Sequence, residues 1–329
     1  MKACNFLMYF FLPSALCCTR NVILFHMGTL GVILISTLFV EQDPLLPFDP
    51  KRLEADLEKS LFGQHIASDV VLKAVSSFMT KQNPNKPLVL SFHGTTGTGK
   101  NHVAKIIARN IYIKGEKSEH VHIIIPDYHF PDKQYSHIYS AQLKQLIRKS
   151  VASFPRSIFI FDEMDKMDPQ LIDAIKPFLD YNARADGASV NQAIFIFSQV
   201  INNAGGKAIL DLVLDFWKRG GDREEIRMNG KDVKILISEG IKKNNKDGFS
   251  YSSLINQHLI DHCVPFLPLE MKHVHQCAMA EMVHMNITQN YYLANRVARN
   301  MPYFPEQERL FALKGCKSVR QKLVLYVGE

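Results

Sequence analysis

The sequence predicts an α/β fold, a parallel sheet flanked by helices, with a smaller α-helical domain at its C-terminal end. Three observations predict it. Apolar runs of strand length alternate with helix-patterned segments between Pro87 and Phe197, the arrangement that right-handed crossovers turn into a parallel sheet. A glycine-rich octapeptide joins the first of those runs to the helix that follows it. After Pro265-Phe266-Leu267-Pro268-Leu269-Glu270 the strand signals fade and only helical patterns remain. The chain therefore divides into a leader over 1–50, a large α/β domain over 51–268 and a helical lid over 269–329.

The leader holds two apolar runs, Phe6 to Cys18 and Val22 to Val40, separated by Thr19-Arg20-Asn21. Either a signal peptide followed by a retained apolar anchor, or one uncleaved signal-anchor, fits this pattern. Asp49-Pro50 opens an amphipathic helix that runs to Phe62, and Gly63-Gln64-His65 opens a second with Ile66, Val70, Ala74 and Phe78 on one face. The Asn- and Pro-rich stretch from Lys81 to Lys86 links it to the first strand, Pro87 to His93. Strands are expected at Val121 to Ile125, Ser157 to Phe161 and Ala193 to Phe197, with helices around Ala141 to Ser150 and from Pro169 to Asp180. In the lid, helices are expected over Met271 to Met285 and Tyr291 to Met301, with a last one opened by Gly315-Cys316-Lys317.

A chain of 329 residues, 47% hydrophobic and 22% charged, is globular rather than disordered. Its net charge of +7 comes from Lys and Arg scattered among acids, so no basic face for nucleic acid is expected. The run Lys242 to Gly248 reads as a solvated loop. Cys4, Cys17 and Cys18 lie in the leader and Cys263, Cys277 and Cys316 in the body, with no metal-type Cys-x-x-Cys pair. Asn286-Ile287-Thr288 makes Asn286 a glycosylation candidate if the chain enters the secretory pathway.

The chemistry concentrates in two motifs. Gly94-Thr95-Thr96-Gly97-Thr98-Gly99-Lys100-Asn101 stands between a strand and a helix. In that context backbone N–H groups converge on phosphate oxygens, the helix N-terminus adds a favourable field, and Lys100 reaches the β- and γ-phosphates. The expected ligand is ATP with Mg2+. Asn101 occupies the position where a Ser or Thr hydroxyl normally ligates magnesium, and its amide oxygen is a neutral ligand for the same ion. The second motif is Asp162-Glu163, delivered at the C-terminal end of a buried strand, where ligands of open parallel sheets bind. Asp162 is expected to hold the magnesium and Glu163 to polarise the attacking water. A glycine turn and an acidic helix cap are the plain alternatives, and the co-occurrence of both motifs in one α/β pattern weighs against them.

These residues resemble an AAA+ ATPase and, more narrowly, the torsin family. The resemblance covers about residues 52 to 329 and is carried by Gly63-Gln64-His65, Gly99-Lys100-Asn101, Phe159 to Lys166, Leu171 to Tyr181, Leu214 to Trp217, Leu259-Ile260-Asp261, Val264 to Glu270 and Gly315-Cys316-Lys317. It implies an ATPase of the endoplasmic reticulum lumen and nuclear envelope, held to the membrane by its N-terminal apolar segment and remodelling protein or membrane assemblies in a chaperone-like way. Leu259 stands where Clp-type relatives carry an arginine that reaches a neighbour's γ-phosphate. The resemblance implies that this arginine is supplied in trans by the luminal domain of a transmembrane activator of the lamina-associated-polypeptide type. It also implies that Lys317 is a second sensor on the γ-phosphate, that Asn203 before Ala204-Gly205-Gly206 is the first sensor, and that Cys277 and Cys316 form a redox-sensitive pair in the lid.

One departure stands out: about three extra residues separate the strand ending at Phe197 from Asn203. Either they bulge out, or Asn203 is displaced and hydrolysis is impaired. The latter would suit a nucleotide-gated scaffold, a homo-oligomer or filament whose ATP state controls assembly. A threading unfoldase ranks below both, because Pro126-Asp127-Tyr128-His129-Phe130-Pro131 is aromatic but lacks the glycine of a pore loop.

Overall fold

The structure is a computed structural model that describes residues 44–185, 187–200, 205–227, 235–236, 254 and 258–327. The apolar leader, Asn203 and the run Lys242 to Gly248 lie outside the described residues. Among the described residues no helix is long and apolar enough to cross a membrane. Residues from Leu45 onward belong to one compact unit.

Five strands form the central sheet: β1 (Leu88–Gly94), β2 (Val121–Ile124), β3 (Ile158–Phe161), β6 (Ile194–Val200) and β7 (His262–Phe266), with the two-residue pair β4 (Arg184–Ala185) and β5 (Ala188–Ser189) outside it. The order is β2-β3-β6-β1-β7 and every pairing is parallel. Alternation along each strand sends side chains to two apolar layers. Leu88, Leu90 and Phe92 of β1 join Ile158, Ile160, Ile194 and Ile196 on one face, whereas Val89, Phe159, Phe161, Phe195 and Phe197 line the other. On that second face Phe159 stacks on Phe195 with ring centroids 5.0 Å apart, and Phe161 lies 5.3 Å from Phe197.

The first face is covered by α1 (Pro50–Ser60), α2 (His65–Met79) and α3 (Lys100–Ile111), which contribute Leu53, Leu57, Val71, Val75, Val103 and Ile107. The second is covered by α5 (Ser136–Ser153), α6 (Pro169–Ile175) and α7 (Gly205–Lys218), after the one-turn helix α4 (Pro126–His129). Local chemistry sets the helix starts. Asp49 and Asp168 each accept a hydrogen bond from the N2 amide, and Pro50 and Pro169 fill the first helical positions, where a missing N–H costs nothing.

Strands β7 and β6 differ from the sequence expectation. Strand β7 contains Pro265, which can make no ladder hydrogen bond from its nitrogen; the strand is tolerated because, among the described residues, it lies at the sheet edge and pairs with β1 alone. Strand β6 does not stop at Phe197. It continues through Ser198 and Gln199 to Val200, pairing with Phe92, His93 and Gly94 of β1.

The lid comprises helices Met271–His284, Tyr291–Arg299 and Val319–Tyr326, plus the short antiparallel pair β8 (Tyr303–Phe304) and β9 (Phe311–Ala312). It has an apolar cluster of its own, built around Val274, Ala278, Met282, Val297, Val319 and Leu323. Buried polar side chains of the large domain hold the segment that leads into it, and Arg223 pairs with Glu270 of the lid at 3.4 Å. Gln64, at 1% exposure, donates to the carbonyl oxygens of Thr98 and Leu267 and accepts from the Leu267 amide. Arg223 donates to the carbonyl oxygens of Gly63 and Pro268.

Candidate functional site

The octapeptide Gly94–Asn101 leaves the C-terminal end of β1 and runs into α3. Gly97 and Gly99 adopt φ values of 72° and 108°, the left-handed region open to glycine, which lets the loop turn tightly between β1 and α3. Lys100 lies at 5% exposure, its Nζ donating to the carbonyl oxygens of Gly94 and Thr95 at 2.8 Å each. Burial lowers its pKa to about 8, against the opposing pull of the Asp162 and Asp165 carboxylates, and the nearby Lys317 ammonium lowers it further. The Thr98 hydroxyl donates to Thr95 O, while the buried Thr95 Oγ1 has no hydrogen-bond partner among the described residues. A loop with orphaned donor capacity and a lysine folded onto its own carbonyls fits a triphosphate.

Strand β3 places Asp162 and Glu163 beside that loop. The Asp162 carboxylate accepts from Asn101 Nδ2 on one oxygen and from the Glu163 amide, at 2.9 Å, on the other. The Asn101 amide oxygen is turned to Ser198 Oγ at 3.2 Å, so its nitrogen and not its oxygen faces Asp162. An oxygen there would oppose a carboxylate directly, and this repulsion sets the orientation. Glu163 has left-handed backbone angles, φ 51° and ψ 46°, a strained conformation for a side chain of this kind. Its carboxylate pairs with Lys166 Nζ at 2.7 Å, and the same ammonium pairs with Asp127 at the start of α4. Those two carboxylates hold the pKa of Lys166 above its ordinary value.

The lid closes the other side. Cys277 and Cys316 are joined by a disulfide with Cα atoms 6.1 Å apart. The Cys316 amide donates to Gly97 O at 2.9 Å, so lid and phosphate loop touch through backbone. Contact there is close enough that a Cβ on Gly97 would collide with Lys314 O, and one on Gly315 with Gly97 O. A cavity of about 550 Å³ lies between the two parts, lined among others by Leu61, Lys100, Asp162, Glu163, His284 and Lys317. Lys317 is exposed at its rim. Asn286 lies elsewhere, exposed in the turn after the first lid helix, and Cys263 is a buried thiol. Leu259 is buried in the core, so that position offers the site no charge.

Comparison with known proteins places this geometry. The family model described as Torsin matches residues 36–161, and that of the Torsin-1A C-terminal domain matches residues 269–326. A torsin-like protein of Caenorhabditis elegans is 40% identical over 290 residues, covering 87% of this chain and 80% of the relative. The chain belongs to the torsin family. Among solved structures, the torsin chain is similar to the S. cerevisiae Hsp104–ADP complex, with a TM-score of 0.56, 18% identity and coverage of 84% of this chain and 48% of the other. It is also similar to the closed state of Hsp104 with ATPγS and FITC casein, with a TM-score of 0.57, 17% identity and coverage of 83% and 45%. The chain thus spans about half of each Hsp104 chain, and at these identities the likeness establishes the AAA+ fold alone.

The loop, Asp162, Glu163 and Lys317, all expected from sequence, meet at one cavity in this torsin. Gln64, Lys166 and Ser198 are additions. Lys166 carried a readable signal, three residues after Glu163 in the same motif. Gln64 and Ser198 did not, because their partners are distant in sequence.

Proposed function

We propose that this torsin is an ATP hydrolase activated by a partner, working in the endoplasmic reticulum lumen and nuclear envelope to remodel protein or membrane assemblies. The observation that carries the reading is the convergence of Lys100, Asp162, Glu163 and Lys317 on one cavity between loop and lid. The loop amides and Lys100 hold the β- and γ-phosphates. Asp162 would hold magnesium, whose chemistry when bound is to neutralise charge on phosphate oxygens. Glu163 accepts the proton of the attacking water. Leu259 cannot stabilise charge on the transferred phosphoryl group, so an arginine from the luminal domain of a lamina-associated-polypeptide-type activator supplies it, an effect of about three to five orders of magnitude. Residues 1–50 hold the protein at the membrane, and a luminal Asn286 is open to glycosylation.

ATP turnover by the purified protein, with and without such a luminal domain, tests this reading. Glu163→Gln should keep ATP binding, hold the activator more tightly and lose stimulated turnover. Turnover by that variant at the activated wild-type rate would remove Glu163 as the base. A second reading, a nucleotide-gated scaffold or filament, is favoured by the continuation of β6 to Val200, which moves the chain about 10 Å past Phe197 before Asn203 is reached. A stoichiometric complex without turnover would select it.

A further inference from the structure

We propose that Ser198 is a positioning residue of the nucleotide site, acting through Asn101 on the carboxylate of Asp162. The proposal rests on the nucleotide-binding reading and goes beyond it by assigning a group outside both motifs.

Strand register supplies the first reason. Phe161, the last residue of β3, is level with Phe197 of β6, and β6 then runs on alone beside β1. Ser198 is therefore the first residue of β6 beyond the end of β3, at the level where Asp162 begins. Of the residues that separate Phe197 from Asn203, Ser198, Gln199 and Val200 are spent on strand, so this level belongs to Ser198.

Burial and bonding supply the second. Ser198 is 1% exposed on a strand whose preceding residues are Ile194, Phe195, Ile196 and Phe197, and a buried hydroxyl is costly unless it is bonded. Its bond goes to Asn101 Oδ1 at 3.2 Å. The amide has two chemically distinct ends, and Ser198 and Asp162 take one each. With its oxygen held by Ser198, Asn101 serves Asp162 as a hydrogen-bond donor. One Asp162 oxygen is thereby fixed by Asn101 and the other by the Glu163 amide, which aims the carboxylate before a cation arrives. Outer partners of this kind commonly tune metal affinity. Without the hydroxyl, the Asn101 amide loses its anchor and Asp162 one of its two fixed bonds.

The test is equilibrium binding of ATP to the full-length protein, once with magnesium and once with EDTA, for wild type, Ser198→Ala, Ser198→Thr and Ser198→Val. Thr and Val have nearly equal volume, so their difference isolates the hydroxyl. The expected result is a loss of about three- to tenfold in magnesium for Ala and Val, none for Thr, and no change for any variant in EDTA. Equal affinity of Ser198→Ala and wild type in magnesium overturns the proposal. So does an equal loss in EDTA, which would mark a packing role, or a loss for Ser198→Thr as large as that for Ser198→Val. Failure of the wild type to bind ATP at all would instead overturn the nucleotide reading beneath it.

Discussion

Lys100 brings an ammonium group into a site that resists it. Burial holds its pKa near 8, against an ordinary value of 10.5. Between those values the unfolded chain binds more protons than the folded one, so the lysine's contribution to stability rises with pH from about 8 to about 10.5. ATP reverses the preference, because phosphate oxygens favour the protonated form. ATP affinity should therefore fall as pH rises through about 8, with net proton uptake on binding. Titration calorimetry in buffers of different ionisation enthalpy checks this, and Lys100→Met should bind weakly without the pH dependence. A flat wild-type profile from pH 7 to about 9.5 would place the lysine's charge elsewhere in the cycle. The position of Lys100 was legible in the sequence because glycine spacing and strand–helix context define it locally. The salt link from Lys166 to Asp127, and the two ends of the Asn101 amide, depend on segments that only folding brings together.

Among the elements, a close approach joins the phosphate loop to the turn that opens the last lid helix. Gly315 has φ 46° and leaves no room for a Cβ against Gly97 O, whereas Gly220 has φ 79° and open space, with nothing within 4 Å of where a Cβ would sit. Gly220→Ala therefore carries conformational strain alone, and Gly315→Ala carries strain plus a backbone collision. The expected costs are about 1 kcal/mol for the first and about 2–4 kcal/mol for the second, with ATP affinity reduced only by the second. Thermal melting and nucleotide binding of the two variants separate these terms; equal losses would mean that the loop and lid do not bear on one another. Strands β1, β3 and β6 were readable as apolar runs because both of their faces are buried. Strand β7 was hidden by Pro265, and helix α7, which opens on Gly205-Gly206, lacked a start signal. The lid helices were legible from periodicity, but nothing local announced that Gln64 would join hinge to loop.

Across the whole molecule, the disulfide closes a lid segment with a sequence separation of 39 and ends beside the amide that bonds Gly97. Reduction, or Cys316→Ser, should lower stability by about 2–4 kcal/mol and change the ratio of ATP to ADP affinity. Identical nucleotide affinities in both redox states would leave the bridge a static staple. The order of strands has a separate consequence, one that concerns synthesis. Among the described residues, strand β1, which carries the phosphate loop, finds its neighbours only in β6 and β7: Leu88 meets Ile194, and Leu90 meets His262. A growing chain completes domains from its N-terminal side at roughly 5–20 residues per second, so β1 waits for many seconds with both edges unpaired. Its residues are all buried in the folded protein, with Leu88, Leu90 and Phe92 apolar along one face, which makes the nascent chain adhesive through that interval. A chain that ends before His262 never covers the second edge of β1, and premature termination there should yield an aggregating fragment instead of a smaller working enzyme.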